Sequence, residues 1–190
     1  MLDHPYGAGA SENVPHNRSY TAALAAAAMR GVRGAGHEVD LIDLIETGWR
    51  LNSVLDPVAA GCQRRLMEAD HLVFAFPVWW ESMPAGTKGF LDKALTKGIV
   101  YSEPDKPGLV INGIKNIKSF SLITVMSTPS FVYRWILGNP LPKVMFRGTF
   151  RKIGVKELRW FSAVDPAGKT LEARQRQLQK TKTQFAQLFS

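Results

Sequence analysis

The chain has 190 residues, 45% hydrophobic and 21% charged, which is enough apolar material for one full-sized core and leaves no stretch polar enough for disorder. No apolar run approaches the roughly 18 to 20 residues that cross a bilayer, and the first residues show neither the charged start nor the apolar block of a secretory signal, so none is expected. A single cysteine, Cys62, excludes an internal disulfide framework. One cytoplasmic domain over residues 1–190 is the expectation. The net charge of +8 is spread over Arg30, Arg33, Arg64, Arg65, Lys115, Lys118, the 147–156 segment and the end of the chain. It reads as a solvated basic surface first and an anionic partner second, and no nucleic-acid motif accompanies it.

Ser19 is a candidate N-cap for an Ala-rich helix that stops at Gly34 and Gly36. His37–Ile42 alternates like a strand. Asp56-Pro57 reads as the cap and first residue of a second helix, ending near Ala69. His71–Phe76 is a continuous apolar run, as a strand buried on both faces requires, and Pro77 breaks it. Pro84 opens a helix to Ala94 or Leu95. Phe120–Met126 is a second buried strand, Pro140–Lys152 a basic helix, Glu157–Ala163 a last strand and Gly168–Phe189 a terminal amphipathic helix. Strands alternating with helices predict an α/β domain with a parallel sheet covered on both sides.

Two segments carry chemistry. In the first, His4-Pro5-Tyr6-Gly7-Ala8-Gly9-Ala10-Ser11 runs through His16 to Ser19-Tyr20-Thr21 at a helix start. Small residues, hydroxyls and unpaired helix-start N–H groups suit a phosphate, although a capped surface loop has the same composition. In the second, Phe76-Pro77-Val78-Trp79-Trp80-Glu81 leads to Pro84-Ala85-Gly86-Thr87-Lys88-Gly89-Phe90-Leu91-Asp92. Ligands of open α/β sheets bind beyond the carboxyl ends of the strands, where tryptophan faces stack on a flat ring. Core or dimer-interface packing is the alternative for both tryptophans. The four histidines lack metal-ligand spacing, Cys62 has no histidine near it in sequence, and no nucleotide-hydrolysis or dinucleotide glycine motif is present.

Taken together, the two segments resemble the NAD(P)H:quinone oxidoreductase branch of the flavodoxin-like flavoproteins, the DT-diaphorase and bacterial drug-activity-modulator type. The resemblance covers His4 to about Ala163. It implies a doubly wound parallel five-stranded sheet of order 2-1-3-4-5. By the same resemblance His4, Ser19, Tyr20 and Thr21 hold the phosphates of a flavin, FAD or FMN, with the long loop favouring FAD. Pro77, Val78, Trp79, Trp80 and Glu81 meet the ring edge, Thr124 and Ser127 offer hydroxyls beside it, and Tyr133 faces the acceptor or simply packs. The implied function is a homodimeric NAD(P)H dehydrogenase giving two electrons to quinones or related azo or nitro compounds. A flavodoxin-like electron carrier and a regulatory flavoprotein subunit of a potassium-efflux system are the alternatives.

Three departures qualify that pattern. The glycine pair usual after the Phe120–Val125 strand is replaced by Met126-Ser127-Thr128, and no histidine follows His71 to deliver a proton. Glu81 stands where an apolar or small residue is usual, and it reads as a helix N-terminal acid facing solvent rather than a charge on the ring. Finally, only Met1-Leu2-Asp3 precedes the phosphate loop, so the central first strand is expected to be truncated or the sheet rebuilt. Lost pairing on both neighbours would cost about 1 to 3 kcal/mol for each buried group left unpaired.

Overall fold

A computed structural model of the chain describes residues 1–11, 18–48, 57–102 and 111–190. The cap expected at Asp56 lies outside them. In chain order the elements are α1 (Tyr20–Gly34), α2 (Pro57–Glu68), β1 (His71–Pro77), α3 (Ala85–Ala94), a short antiparallel pair β2 (Tyr101–Ser102) and β3 (Ile111–Asn112), and β4 (Ser119–Met126). A π-helical turn (Val132–Ile136), the single turn α4 (Pro140–Pro142) and a π-helical stretch (Lys143–Phe150) follow, then β5 (Glu157–Val164) and α5 (Leu171–Leu188). The basic helix expected from Pro140 is therefore present but widened into π geometry from Lys143 to Phe150.

The apolar runs form a parallel ladder in the order β1-β4-β5, with His71 opposite Ser119 and Ser119 opposite Glu157. Beyond β1 the sheet continues through single residues. Leu2 bridges Ala75 on one side and Asp43 on the other, both in parallel. The Leu2 N–H donates to the Ile42 carbonyl at 2.8 Å, and the Leu44 N–H to the Leu2 carbonyl at 3.0 Å. The Ala75 N–H donates to the Met1 carbonyl at 2.9 Å, and the Asp3 N–H to the Ala75 carbonyl at 3.0 Å. The sequence of neighbours is thus Asp43, Leu2, β1, β4, β5. This is the 2-1-3-4-5 order of a flavodoxin-like α/β domain, with its first two positions reduced to bridges.

The expectation of a strand over His37–Ile42 is corrected. Those residues are irregular: the first backbone bond to the neighbouring Leu2 segment is at the Ile42 carbonyl. Alternation alone cannot hold a strand without a partner.

Each face of the sheet is covered. Phe74, Phe76, Phe120 and Leu122 point to the side of α2, α3 and Phe150, where Phe74 meets Phe90, Phe120 and Phe150 edge-on at 5.2 to 5.7 Å. Ala75, Ile123 and Ala163 point to the other side, under α1 and α5. Small residues on α1 (Ala22, Ala25, Ala28, Gly31) let α5 approach closely. A Cβ at Gly31 would stand 2.2 Å from the Lys182 carbonyl oxygen.

Gly31→Ala should therefore destabilise the fold by about 1 to 3 kcal/mol in urea unfolding. Gly34→Ala, whose Cβ would meet nothing within 4 Å, should be neutral or slightly stabilising. Equal effects at the two positions would contradict the close α1–α5 approach.

The Met1 ammonium is enclosed and donates to the Val73 carbonyl at 2.8 Å. Burial and then the nearby Arg65 push its pKa down from 8.0 to about 5, partly offset by Asp40, Asp43 and Cys62. The unfolded chain holds this proton up to about pH 8 and the folded chain releases it near pH 5, so stability should rise with pH between these values and level off above. Burial also lowers the His4 and His71 pKa values, which adds to the rise near pH 6. N-terminal acetylation should remove the part of the rise between pH 7 and 8. An unchanged slope in the acetylated chain would show that the amine is not its source.

Candidate functional site

Chain connectivity brings the two sequence motifs to one end of the sheet. His4 follows the Leu2 bridge, and Val78 follows β1, with its N–H on the Val125 carbonyl of β4 at 2.8 Å. Ser127 and Thr128 follow β4. All of these leave the carboxyl ends of neighbouring parallel strands.

The tryptophan loop is a two-residue hairpin. The Trp79 N–H donates to the Ser82 carbonyl at 3.0 Å, and the Ser82 N–H returns to Trp79 at 2.9 Å. Between them Trp80 (φ 50°) and Glu81 (φ 59°) are both left-handed, the conformation of a type I′ turn that normally selects Asn and Gly. Each such residue costs on the order of 1 kcal/mol or more, so the surroundings must hold it. Two contacts do. The Tyr133 hydroxyl donates to the Glu81 carbonyl at 2.9 Å, and the Thr128 hydroxyl donates to Glu81 Oε1 at 2.5 Å.

The hairpin leaves Trp80 fully exposed, at 99%, and Trp79 half-exposed. Neither tryptophan is a core residue. The Trp80 and Glu81 N–H groups have no acceptor among the described residues. Glu81 is corrected from a solvent-facing helix acid to an inward-turned brace. Helix α3 begins only at Ala85 with Pro84 as its cap, while Glu81 Oε2 is buried without a hydrogen-bond partner.

Tyr133 is wholly buried and so has no open face toward an acceptor. Besides holding Glu81, its oxygen accepts from the Leu141 N–H at 3.2 Å. Burial pushes its pKa up to about 12; the Leu141 bond opposes this and the Glu81 charge adds to it. A phenol this reluctant to ionise is a poor proton donor near neutrality. Thr124 is also fully buried, and its hydroxyl accepts from Trp160 Nε1 at 2.8 Å. Ser127 is exposed.

At the other motif, His4 is partly buried and its Nδ1 receives the Tyr6 N–H at 3.3 Å. Burial lowers the His4 pKa against the pull of Asp3 and Asp43, which favours the neutral ring. Ser19 Oγ accepts from the Ala22 N–H at 3.1 Å, as the N-cap reading requires. Tyr20 instead lends its hydroxyl to the Arg174 carbonyl at 3.1 Å, and Thr21 is buried. The three hydroxyls expected around a phosphate are thus turned inward or committed. What α1 presents at its start is backbone N–H groups. His16 lies outside the described residues.

Two carboxylates that the sequence reading passed over organise both loops. The Thr87 N–H and hydroxyl donate to Asp3 Oδ2 at 2.5 and 2.8 Å, so an acid after the Leu2 bridge caps the first turn of α3. A Cβ at Gly86 would lie 2.7 Å from the same oxygen. Asp43 accepts from Ala8 at 2.5 Å and Ile45 at 3.0 Å, tying the His4 loop to the segment after its own bridge. The available signal was positional: each acid directly follows an apolar residue that ends a strand position.

These observations bear on whether a flavin fits. The ring half of the site fits, since two N–H groups without acceptors and two exposed indoles face one sheet end. The phosphate half fits through the N–H groups at the start of α1 and not through Ser19, Tyr20 or Thr21 hydroxyls.

A family model described as Flavodoxin-like fold matches residues 12–189. A Haemophilus influenzae protein named "Uncharacterized NAD(P)H oxidoreductase" is 26% identical over 93 residues, covering 49% of this chain and 45% of that protein. The chain spans less than half the length of the curated relatives it matches. Among solved structures, an NAD(P)H:quinone oxidoreductase from Methanothermobacter marburgensis superimposes with a TM-score of 0.79 at 20% identity, over 98% of this chain and 95% of that one. An FMN-dependent NADH-azoreductase from Bacillus anthracis, solved with FMN, gives 0.67 at 10% identity over 90% and 92%. At such identities the structures speak for the fold. No helix among the described residues is long and apolar enough to cross a membrane. With the family model matching nearly the whole chain and the sheet running in the 2-1-3-4-5 order, the chain belongs to the flavodoxin-like family.

Proposed function

We propose that this chain is a flavin-dependent NAD(P)H dehydrogenase that reduces quinone-type acceptors, with azo and nitro compounds as related substrates. The observation that carries this reading is the left-handed Trp80–Glu81 turn, clamped by Tyr133 and Thr128 at the carboxyl end of the sheet. Strain held by two dedicated contacts, presenting exposed indoles and N–H groups without acceptors, suits a loop that receives a flat, electron-accepting ring. The names of the relatives support the same class of reaction.

A bound flavin would supply the hydride chemistry, accepting from NAD(P)H and giving two electrons to the acceptor. The protein's own contribution is placement. The Trp80 and Glu81 N–H groups would donate to the ring edge, where charge gathers on reduction. Trp79 and Trp80 would cover the ring and exclude water. The start of α1 and the His4 loop would hold the phosphates, with neutral His4 as a donor. Tyr133 becomes a positioning residue: it sets the Glu81 carbonyl and thereby the direction of the N–H groups beside it. Proton supply to the acceptor falls to water. The long loop favours FAD over FMN. A second copy of the chain would cover the outer ring face, using the exposed Phe131, Trp135 and Ile136 near the site.

Mass spectrometry of released flavin tests the cofactor, and NAD(P)H consumption with a quinone tests the reaction. Tyr133→Phe should lower kcat/KM roughly tenfold and cost about 1 to 3 kcal/mol of stability, because it strips the Glu81 carbonyl and Leu141 N–H of a partner. The pH profile of the remaining activity should keep its shape; a lost ionisation would instead make Tyr133 the proton donor.

Nicotinamide and acceptor would need the same open ring face in turn. Initial rates against NAD(P)H at several quinone concentrations should accordingly give parallel double-reciprocal lines. Intersecting lines would overturn the shared face and leave the flavin assignment standing.

A further inference from the structure

A basic cavity of about 640 Å³ lies at the β5 end of the sheet. Arg134, Lys143, Arg147 and Arg151 surround it, all exposed, and no Asp or Glu lines it. Three of the four recur every four residues, so the π-helical stretch and the turn after it bring them to one side. Lys143 folds back until its Nζ stands 3.1 Å from where a Cβ at Gly138 would be. None of the four has an ion-pair partner among the described residues. The acid next to the cavity in sequence, Glu157, pairs with Arg159 at 2.6 Å. Both alternate along β5 with Leu158 and Trp160, which line the cavity, and so point to the other face. Four like charges around one concavity repel each other and focus a positive field into it.

The cavity is also aromatic. Phe146 and Trp160 line it, and Trp160 is fixed in place. Its Nε1 donates to the Thr124 hydroxyl at 2.8 Å, and its ring lies 5.6 Å from that of Tyr133. Asn139 contributes a third element. It lines the same cavity from a left-handed backbone (φ 57°), and its Oδ1 is buried without a hydrogen-bond partner. The cavity shares no residue with the His4 loop, the tryptophan hairpin or the turn after β4. Tyr133 separates it from the hairpin, with its hydroxyl on Glu81 and its ring toward Trp160.

We propose that this cavity is a second binding site, separate from the one at the carboxyl end of the sheet, and that it takes a nucleoside polyphosphate. The three arginines match phosphate oxygens with paired N–H groups, and Lys143 adds a point charge. A base laid against Trp160 and Phe146 would gain from stacking. Its amino or ring N–H gives the Asn139 amide the partner it lacks, once that side chain turns to the cavity. A bare polyphosphate would leave the aromatic floor and Asn139 unused. An uncharged aromatic would leave the four cations unneutralised.

Equilibrium dialysis with ATP, tripolyphosphate and adenosine tests the parts separately. ATP should bind about tenfold or more tightly than either of the other two, because stacking adds to charge. The double variant Arg147→Gln with Arg151→Gln removes two exposed charges, and should weaken ATP about thirtyfold or more with little change in Tm. Asn139→Gly keeps the left-handed backbone, and should weaken ATP about threefold or more while leaving tripolyphosphate unchanged. Equal affinity for ATP and tripolyphosphate would reduce the cavity to a patch for polyanions and overturn the nucleotide assignment. ATP binding unmoved by the double variant would lie elsewhere, and ATP displaced by NADPH would belong to the hydride donor's site; either overturns a separate nucleotide site. Retention of neither ATP nor tripolyphosphate would overturn the proposal outright.

Discussion

The Leu2 peptide groups, with those of Met1 and Asp3 beside them, decide where everything at the functional end of the molecule stands. Four backbone hydrogen bonds tie this short piece to Ala75 and to the Ile42–Leu44 segment. Each bond contributes only about 1 kcal/mol net. Their geometric effect is larger, because the chain leaves the sheet at Asp3 with its direction fixed. Asp3 then reaches α3, His4 begins the loop to α1, and Asp43 holds that loop from the far side. Without these bonds the His4 loop would have no defined relation to the tryptophan hairpin, and the carboxyl end of the sheet would carry two unrelated surface loops.

The site combines two kinds of order. Around His4 and Asp43 the loop is held by hydrogen bonds from backbone N–H groups to a carboxylate, an arrangement that tolerates many side chains at the surface. Around Trp80 and Glu81 the backbone is held against its own preference, and the restraining contacts come from residues 47 and 52 positions away. A hairpin with Asn-Gly would reach the same shape without help. That two bulky residues occupy the turn instead means that their side chains are what the turn presents. The buried, unpartnered Glu81 Oε2 adds a local acceptor at a position where a donor would be welcome.

Much of the fold was legible because Leu72–Phe76 is an uninterrupted apolar run closed by Pro77, and Phe120–Met126 is apolar but for Ser121 and Thr124. The Ser19 and Pro84 helix starts were equally readable, since capping chemistry is local. What escaped had non-local causes. His37–Ile42 alternates like a strand, but whether it pairs depends on residues at the other end of the loop. The π-helical turn at Val132–Ile136 has no periodic signature in so short a span. Within the site, the motif identified which segments matter, whereas the direction of each side chain was hidden. Tyr133 could not be recognised as buried, nor Tyr20 as bonded to α5, without knowing what packs beside them. Asp3 and Asp43 escaped for a related reason: a single acid after a strand has no distinctive spacing.

The contact between Asp3 and α3 also constrains how this surface can change over time. Gly86, Thr87 and Asp3 share one carboxylate oxygen, so the three positions cannot drift independently. A larger residue at Gly86 pushes on Asp3, and through Asp3 on the start of the His4 loop. Loss of the Asp3 carboxylate, by contrast, frees space at Gly86 while leaving the Thr87 N–H uncapped. Substitutions at these positions would combine non-additively, which a double-mutant cycle reads directly. The two loops of the functional end are therefore one mutational unit, although they stand some eighty residues apart in the chain.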